Sequence, residues 1–153
     1  MKHEYLSKAS FLFLLIITVP VFAQKNIQLK SPDGNIFFSF KLTEKAPVYQ
    51  VAYKGKTLIK DSELGLTFKE SGKFNTNLKI SAARFSKVDE TYDLVVGKAK
   101  TIKNKYSQVL IPLTERTGQK RQINIIVRAF NDGLAFRYEF PKQLNWSSYT
   151  LLD

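Results

Sequence analysis

The chain contains no cysteine, and its one histidine and one methionine are His3 and Met1. Without thiols there is no disulfide, no cysteine nucleophile, no thiolate zinc site and no cysteine to carry a bacterial lipid anchor. With His3 as the sole imidazole, inside a segment expected to be removed, Ser-His-Asp and Cys-His catalysis are excluded. The seven glycines are scattered as single turn residues, so no glycine-rich loop cradles a phosphate. Acidic residues are scarce as well, 13 against 24 lysines and arginines, for a net charge of +11. Such an excess draws nucleic acid or anionic surfaces when it is gathered into a patch. Here the lysines are dispersed, and the densest stretches, KAKTIKNKYS at 98–107 and GQKRQ at 118–122, lack interleaved stacking aromatics. Both read as solvated faces, and no nucleic-acid partner is expected.

What is present begins with an export signal. MKHEYLSK carries Lys2 and Lys8, FLFLLIITVPV supplies an apolar run, and Val21-Phe22-Ala23 offers a signal-peptidase site. Cleavage after Ala23 is expected, giving residues 1–23 as signal peptide and 24–153 as one exported domain, periplasmic or secreted. The alternative, a membrane anchor, needs about 20 apolar residues and the run is shorter. No membrane span is expected after cleavage. A domain without disulfides must rest on its core, and 44% apolar and 13% aromatic residues provide one.

The patterning is that of β-strands throughout. Ile36, Phe38, Phe40 and Leu42 alternate with Phe37, Ser39 and Lys41, after a turn at SPDGN (31–35). Tyr49, Val51 and Tyr53 repeat the period, Lys54-Gly55 reverses the chain, and LGLTF (64–68) follows Asp61-Ser62. LKISAARF, TYDLVV, YSQVLIPL and QINIIVRAF each fit a strand, with Gly72 and TERTGQKR (114–121) as connections. Ile123, Ile125 and Val127 fill one face while Ile126 and Phe130 are apolar on the other, as for a strand covered on both sides. Asn131-Asp132-Gly133 precedes the alternating Leu134, Phe136, Tyr138 and Phe140, and reads as a turn with Gly133 at positive φ. No helical stripe is sustained. Eight to ten short strands suggest an all-β fold, an antiparallel β-sandwich.

The remaining chemistry is that of paired carboxylates, which cleave glycosidic bonds when they lie about 5–10 Å apart. Candidates are Asp61 with Glu63, Asp89 with Glu90, Glu115, and Asp132 with Glu139. Each has a structural reading: Asp61 and Glu63 flank a turn, Asp89-Glu90 sit in a polar connection, and Arg137 and Glu139 share a strand face and pair at little gain. No pair stands in an apolar setting, so no catalytic residue is assigned. Trp146 and Tyr149, in LNWSSY, could stack on sugar rings or form a hydrophobic lid on the sandwich edge.

Four blocks, LKSPDGNIFFSFKL, APVYQVAYKGKTLI, ELGLTF and RAFNDGLAFRYEFP, resemble in order and spacing the N-terminal domain of glycoside hydrolase family 97, exported α-glucosidases and α-galactosidases. The resemblance spans roughly residues 27–141, and its last block is the most specific. It implies a β-sandwich like galactose mutarotase, a fold often linked to carbohydrate binding, ahead of a catalytic (β/α)8 barrel. Family members hydrolyse α-glycosidic bonds with a calcium ion held by glutamates near the sugar. The acid and base lie on the barrel, and the sandwich lends a calcium-binding Glu from downstream of the Asn-Asp-Gly block. The sequence ends at Asp153, so the barrel and that Glu are expected to lie outside it, and none of the 13 acidic residues matches the position. A family sandwich is longer than residues 24–153, so the chain resembles its front half, with last strands left unpaired.

The expectation is therefore a supporting N-terminal sandwich, partnered by the barrel of the same gene product and by α-linked oligo- or polysaccharide, with no cofactor in this chain and Ca2+ in the full-length family. The rival is a free-standing carbohydrate-binding module whose platform is Trp146 and Tyr149.

Overall fold

The computed structural model describes residues 26–96 and 100–152. The expected signal segment, 1–23, lies outside them. Twelve strands and no helix occur among the described residues: β1 (Ile27–Lys30), β2 (Ile36–Leu42), β3 (Pro47–Tyr53), β4 (Lys56–Glu63), β5 (Leu66–Phe68), β6 (Gly72–Phe74), β7 (Leu78–Ile80), β8 (Arg84–Asp93), β9 (Thr101–Glu115), β10 (Gln122–Ala129), β11 (Leu134–Glu139) and β12 (Leu151–Leu152). They form a four-stranded sheet ordered β1-β2-β3-β4, a five-stranded sheet ordered β11-β10-β9-β7 with β8 also paired to β9, and a small sheet ordered β12-β5-β6. Every pairing is antiparallel.

Cross-strand register explains why the two larger sheets face each other. Val109 lies opposite Val127, Ile111 opposite Ile125 and Leu113 opposite Ile123, which gives three apolar pairs on one face of β9 and β10. On the other sheet Leu29, Phe38 and Val51 align across β1, β2 and β3. All of these side chains are buried in one cluster. Each fully buried side chain contributes about 1.5–3 kcal/mol of hydrophobic stabilisation.

The Lys54-Gly55 reversal forms as its sequence predicts. Tyr53 pairs with Lys56 across a two-residue loop, and Lys54 (φ 48°) and Gly55 (φ 80°) both take the left-handed conformation that such a hairpin requires. The SPDGN turn is held by Ser31, whose hydroxyl donates to Asp33 (2.5 Å) and accepts from the Ile36 amide (2.9 Å).

Several expectations are corrected. LKISAARF is two strands, because pairing to β9 passes from β7 to β8 across residues 81–83. TYDLVV is strand only as far as Asp93. Asp89 and Glu90 therefore lie within β8, where Lys105 (2.5 Å) and Asn104 (2.5 Å) across the ladder supply a polar cohesion that apolar alternation does not reveal. Asp61 and Glu63 lie in β4 and not at a turn: an extra residue opposite Tyr49–Val51 makes a β-bulge, with Asp61 at φ 34°. Gly133 is not in the left-handed region. The chain reverses over residues 130–133, closed by the Phe130 amide donating to the Gly133 carbonyl (2.8 Å). Ile126 is buried on the outward face, and Phe130 is only half-buried.

Pro112 sits inside β9, where a ring without N–H ordinarily breaks a ladder. Its carbonyl accepts from the Ser81 amide (3.1 Å), so its backbone polar groups face the β7–β8 side. β8 pairing ends at Leu110 and β7 pairing starts at Leu113, so the missing donor falls in the gap between them.

Candidate functional site

The residues singled out as a sugar platform lie in a segment returning over the small sheet. Gln143 accepts from the Gln122 amide (2.9 Å) and donates to the Gln122 carbonyl (2.9 Å), Asn145 donates to the Gln119 carbonyl, and the Lys69 amide donates to the Thr150 carbonyl (2.9 Å). These anchors bring Trp146 onto Phe68 edge-on, with centroids 4.8 Å apart, and place Tyr149 4.7 Å from Trp146. Tyr149 also stacks on Phe140 at 4.6 Å. Trp146 is 8% exposed and belongs to the core, whereas Tyr149 keeps 40% of its surface. The packing is that of a lid, and of the two residues Tyr149 has surface to offer a ligand.

At the centre of this cluster is Arg121, 3% exposed although GQKRQ reads as a solvated face. Its Nε donates to Glu115 Oε2 (3.0 Å) and its Nη2 to Glu115 Oε1 (2.5 Å), a two-pronged ion pair. Nη1 donates to the Ser71 hydroxyl (2.9 Å) and Nη2 to the Lys73 carbonyl (3.0 Å). The rings of Phe68, Phe74 and Trp146 each have centroids 5.6 Å from the guanidinium carbon. One side chain thus ties the β9–β10 hairpin to the β5–β6 hairpin and to the lid. A readable signal existed: Gln122 faces Thr114 across the ladder, so Arg121 and Glu115 are the next opposed pair, of opposite charge.

The other carboxylates do not converge. Asp61 accepts from Gln50 (2.5 Å) and lies 3.6 Å from Lys41, Glu139 accepts from Asn124 (2.8 Å), and Asp132 is exposed at its turn. Arg137 and Glu139 approach to 3.9 Å on an exposed face, a pair worth about 0–1 kcal/mol. The Ser31 hydroxyl, with the Asn35 amide, holds Asp33 below the usual carboxylate range, and the Lys105 ammonium does the same for Asp89. Those shifts favour solvated anions, the opposite of what a general acid needs. Calcium takes six to eight oxygen ligands. Among the described residues no three His, Cys, Asp or Glu side chains group to hold a metal ion, so these residues do not fit a calcium site.

Comparison with known proteins gives one consistent answer. Residues 29–152 match the family model described as Glycosyl-hydrolase 97 N-terminal. A retaining alpha-galactosidase of Bacteroides thetaiotaomicron is 27% identical over 134 residues, 87% of this chain and 19% of that protein. A glycoside hydrolase family 97 enzyme of Pseudoalteromonas sp. strain K8, solved with acarbose, superposes with a TM-score of 0.77 at 27% identity, covering 82% of this chain and 19% of its own. A beta-arabinopyranosidase superposes with a TM-score of 0.72 at 27% identity, covering 82% and 20%. The chain thus spans about a fifth of the length of the relatives it matches.

Proposed function

Because this chain belongs to the glycosyl-hydrolase 97 N-terminal family, we propose that it is the supporting β-sandwich of an exported glycoside hydrolase acting on α-glycosidic bonds. Bond cleavage resides in a (β/α)8 barrel of the same gene product, and the calcium site is completed there. Residues 1–23 direct export to the periplasm or beyond, and the sandwich takes the galactose mutarotase-like form. The observation that carries this reading is the family match over residues 29–152, alongside relatives about five times longer than the matched region. The site chemistry agrees with it: Glu115, the most enclosed of the candidate carboxylates, is committed to Arg121, and the others are exposed or bound to partners.

In this role the Arg121 cluster gives a rigid edge on which a barrel can be seated, since its buried polar contacts are all satisfied within the sandwich. The test is the coding sequence beyond Asp153. A continuous frame encoding a barrel is expected, and a genuine stop codon with no barrel-coding frame after it would contradict the proposal. The free-standing binding module is favoured by one observation, the 40% exposure of Tyr149. Calorimetric binding of maltose oligomers by the isolated chain, abolished in Tyr149→Ala, would support that second reading.

A further inference from the structure

We propose that Asp132 is a modification site, where isoaspartate forms spontaneously and the main chain is rerouted through the side-chain carboxyl, while Asp33, in the chain's other Asp-Gly step, is protected. The contrast rests on bonds within two four-residue turns and does not depend on the function proposed above.

The chemistry sets what such a step needs. The glycine amide nitrogen attacks Cγ of the preceding aspartic acid. An N–Cγ bond forms, the amide proton passes to solvent and the carboxyl hydroxyl leaves as water, which closes a succinimide ring. Water then adds to one of the two ring carbonyls. Opening at Cγ restores aspartate, and opening at the main-chain carbonyl leaves isoaspartate. One water is lost and one regained, with no change of oxidation state. Glycine favours closure because no Cβ hinders the approach of its nitrogen. The step therefore needs an unbonded glycine amide and a carboxyl free to swing and to take a proton.

Ser31-Pro32-Asp33-Gly34 and Phe130-Asn131-Asp132-Gly133 place Asp-Gly at the same two positions of a chain reversal. In the first, the Gly34 amide donates to the Ser31 carbonyl (2.9 Å), so the attacking nitrogen is held in the turn. The Asp33 carboxylate is held as well. Its Oδ1 accepts from the Ser31 hydroxyl (2.5 Å) and the Asn35 amide (3.1 Å), and its Oδ2 from Asn35 Nδ2 (2.7 Å). The same bonds hold this carboxyl below the usual range and keep it ionised, the form that does not lose water. In the second turn the closing bond runs the other way, from the Phe130 amide to the Gly133 carbonyl (2.8 Å), and among the described residues the Gly133 amide donates to no backbone acceptor. The Asp132 carboxylate forms no ion pair among them, and open space surrounds the point where a Gly133 Cβ would stand. Asn131, by contrast, is anchored, its Oδ1 accepting from the Asp33 amide (3.1 Å). Isoaspartate at 132 thus lengthens the main chain by one carbon beside the bond that ties the β10–β11 turn to the β1–β2 turn.

The experiment is to age the purified protein below its thermal midpoint and map isoaspartate in its peptides by electron-transfer mass spectrometry, with labelling by an isoaspartate-specific methyltransferase as a second readout. Isoaspartate at 132 is expected to exceed that at 33 by about tenfold or more, the effect of even one hydrogen bond that must break before the ring closes. In urea both turns are lost and the two yields should converge. Asp132→Asn, which closes the same ring by losing ammonia, should speed the change, and Gly133→Ala should slow it with the thermal midpoint unchanged. Equal yields at the two positions in the folded protein, an excess at 132 that persists undiminished in urea, or no isoaspartate at 132 in folded protein that forms it in urea would each overturn the proposal.

Discussion

Two aromatic regions of this sandwich have opposite fates. Around Arg121, six-membered and indole rings from three segments close over a charged group until nothing polar is left unpaired. At β8, a single phenylalanine on the core-facing side of the sheet stands in solvent because the opposite sheet stops one strand short. Residue type does not separate them, since both regions present large aromatic side chains. What separates them is whether another element passes overhead. Enclosure turns an aromatic into a stabilising element, and a ring that no element covers contributes little to stability.

The sharpest way to break this contrast is to remove the charge at the closed site. Arg121→Ala leaves the half-buried Glu115 carboxylate without its counter-ion, held only by the backbone amide of residue 121, and is expected to destabilise the chain by about 3 kcal/mol, read from the urea midpoint. Replacing both partners, Arg121→Met with Glu115→Leu, should cost clearly less than the single change, because no buried charge is then orphaned. A double variant as unstable as the single one would show that the ion pair itself, and not the uncompensated charge, governs the site.

Next in size is a comparison of rings. Trp146→Ala should cost about 3 kcal/mol through the cavity it opens against Phe68. Phe85→Ala should stay within about 0.5 kcal/mol, as expected of an exposed side chain. Equal losses at the two positions would abolish the distinction.

A smaller contrast lies in the turns. Gly55→Ala, at φ 80°, is expected to cost about 1 kcal/mol, whereas Gly133→Ala, outside the left-handed region and with open space around it, should be close to neutral. Thermal midpoints of the two variants check this.

The smallest effects concern pH. Asp33 and Asp89, with folded pKa values below the ordinary one, add stability that is present above about pH 4 and lost as pH falls through their folded values. Their exposure keeps that loss slight. Tyr138 has the opposite sign: burial raises its phenol, so its contribution is present below about pH 10 and disappears as pH rises through the folded value. Midpoints measured across pH, with Tyr138→Phe removing the alkaline limb, test both.

Much of the sandwich was legible because alternation and burial coincide where both faces of a ladder are decided by the core. Ile123, Ile125 and Val127 read as one face, and they are one. Legibility failed where polar pairs replaced that pattern. β8 is held by Asp89–Lys105 and Glu90–Asn104, so its acidic residues resembled a connection. Arg121 resembled surface charge because its enclosure is made by segments roughly 50 residues upstream and 25 downstream. Phe85 carried no signal of its own, since its exposure depends on where the other sheet ends. Trp146 and Tyr149 were recognised as lid or platform, and only their rings' placement separates the buried one from the half-open one.

The central claim is that this sandwich supports catalysis and does not perform it. It is tested most directly by assaying purified residues 24–153 with aryl α-glucoside and α-galactoside beside an enzyme in which the same sandwich is joined to its barrel. The account predicts release of the aryl group by the joined enzyme and none above the buffer rate by the sandwich alone. Sustained turnover by residues 24–153 would contradict it.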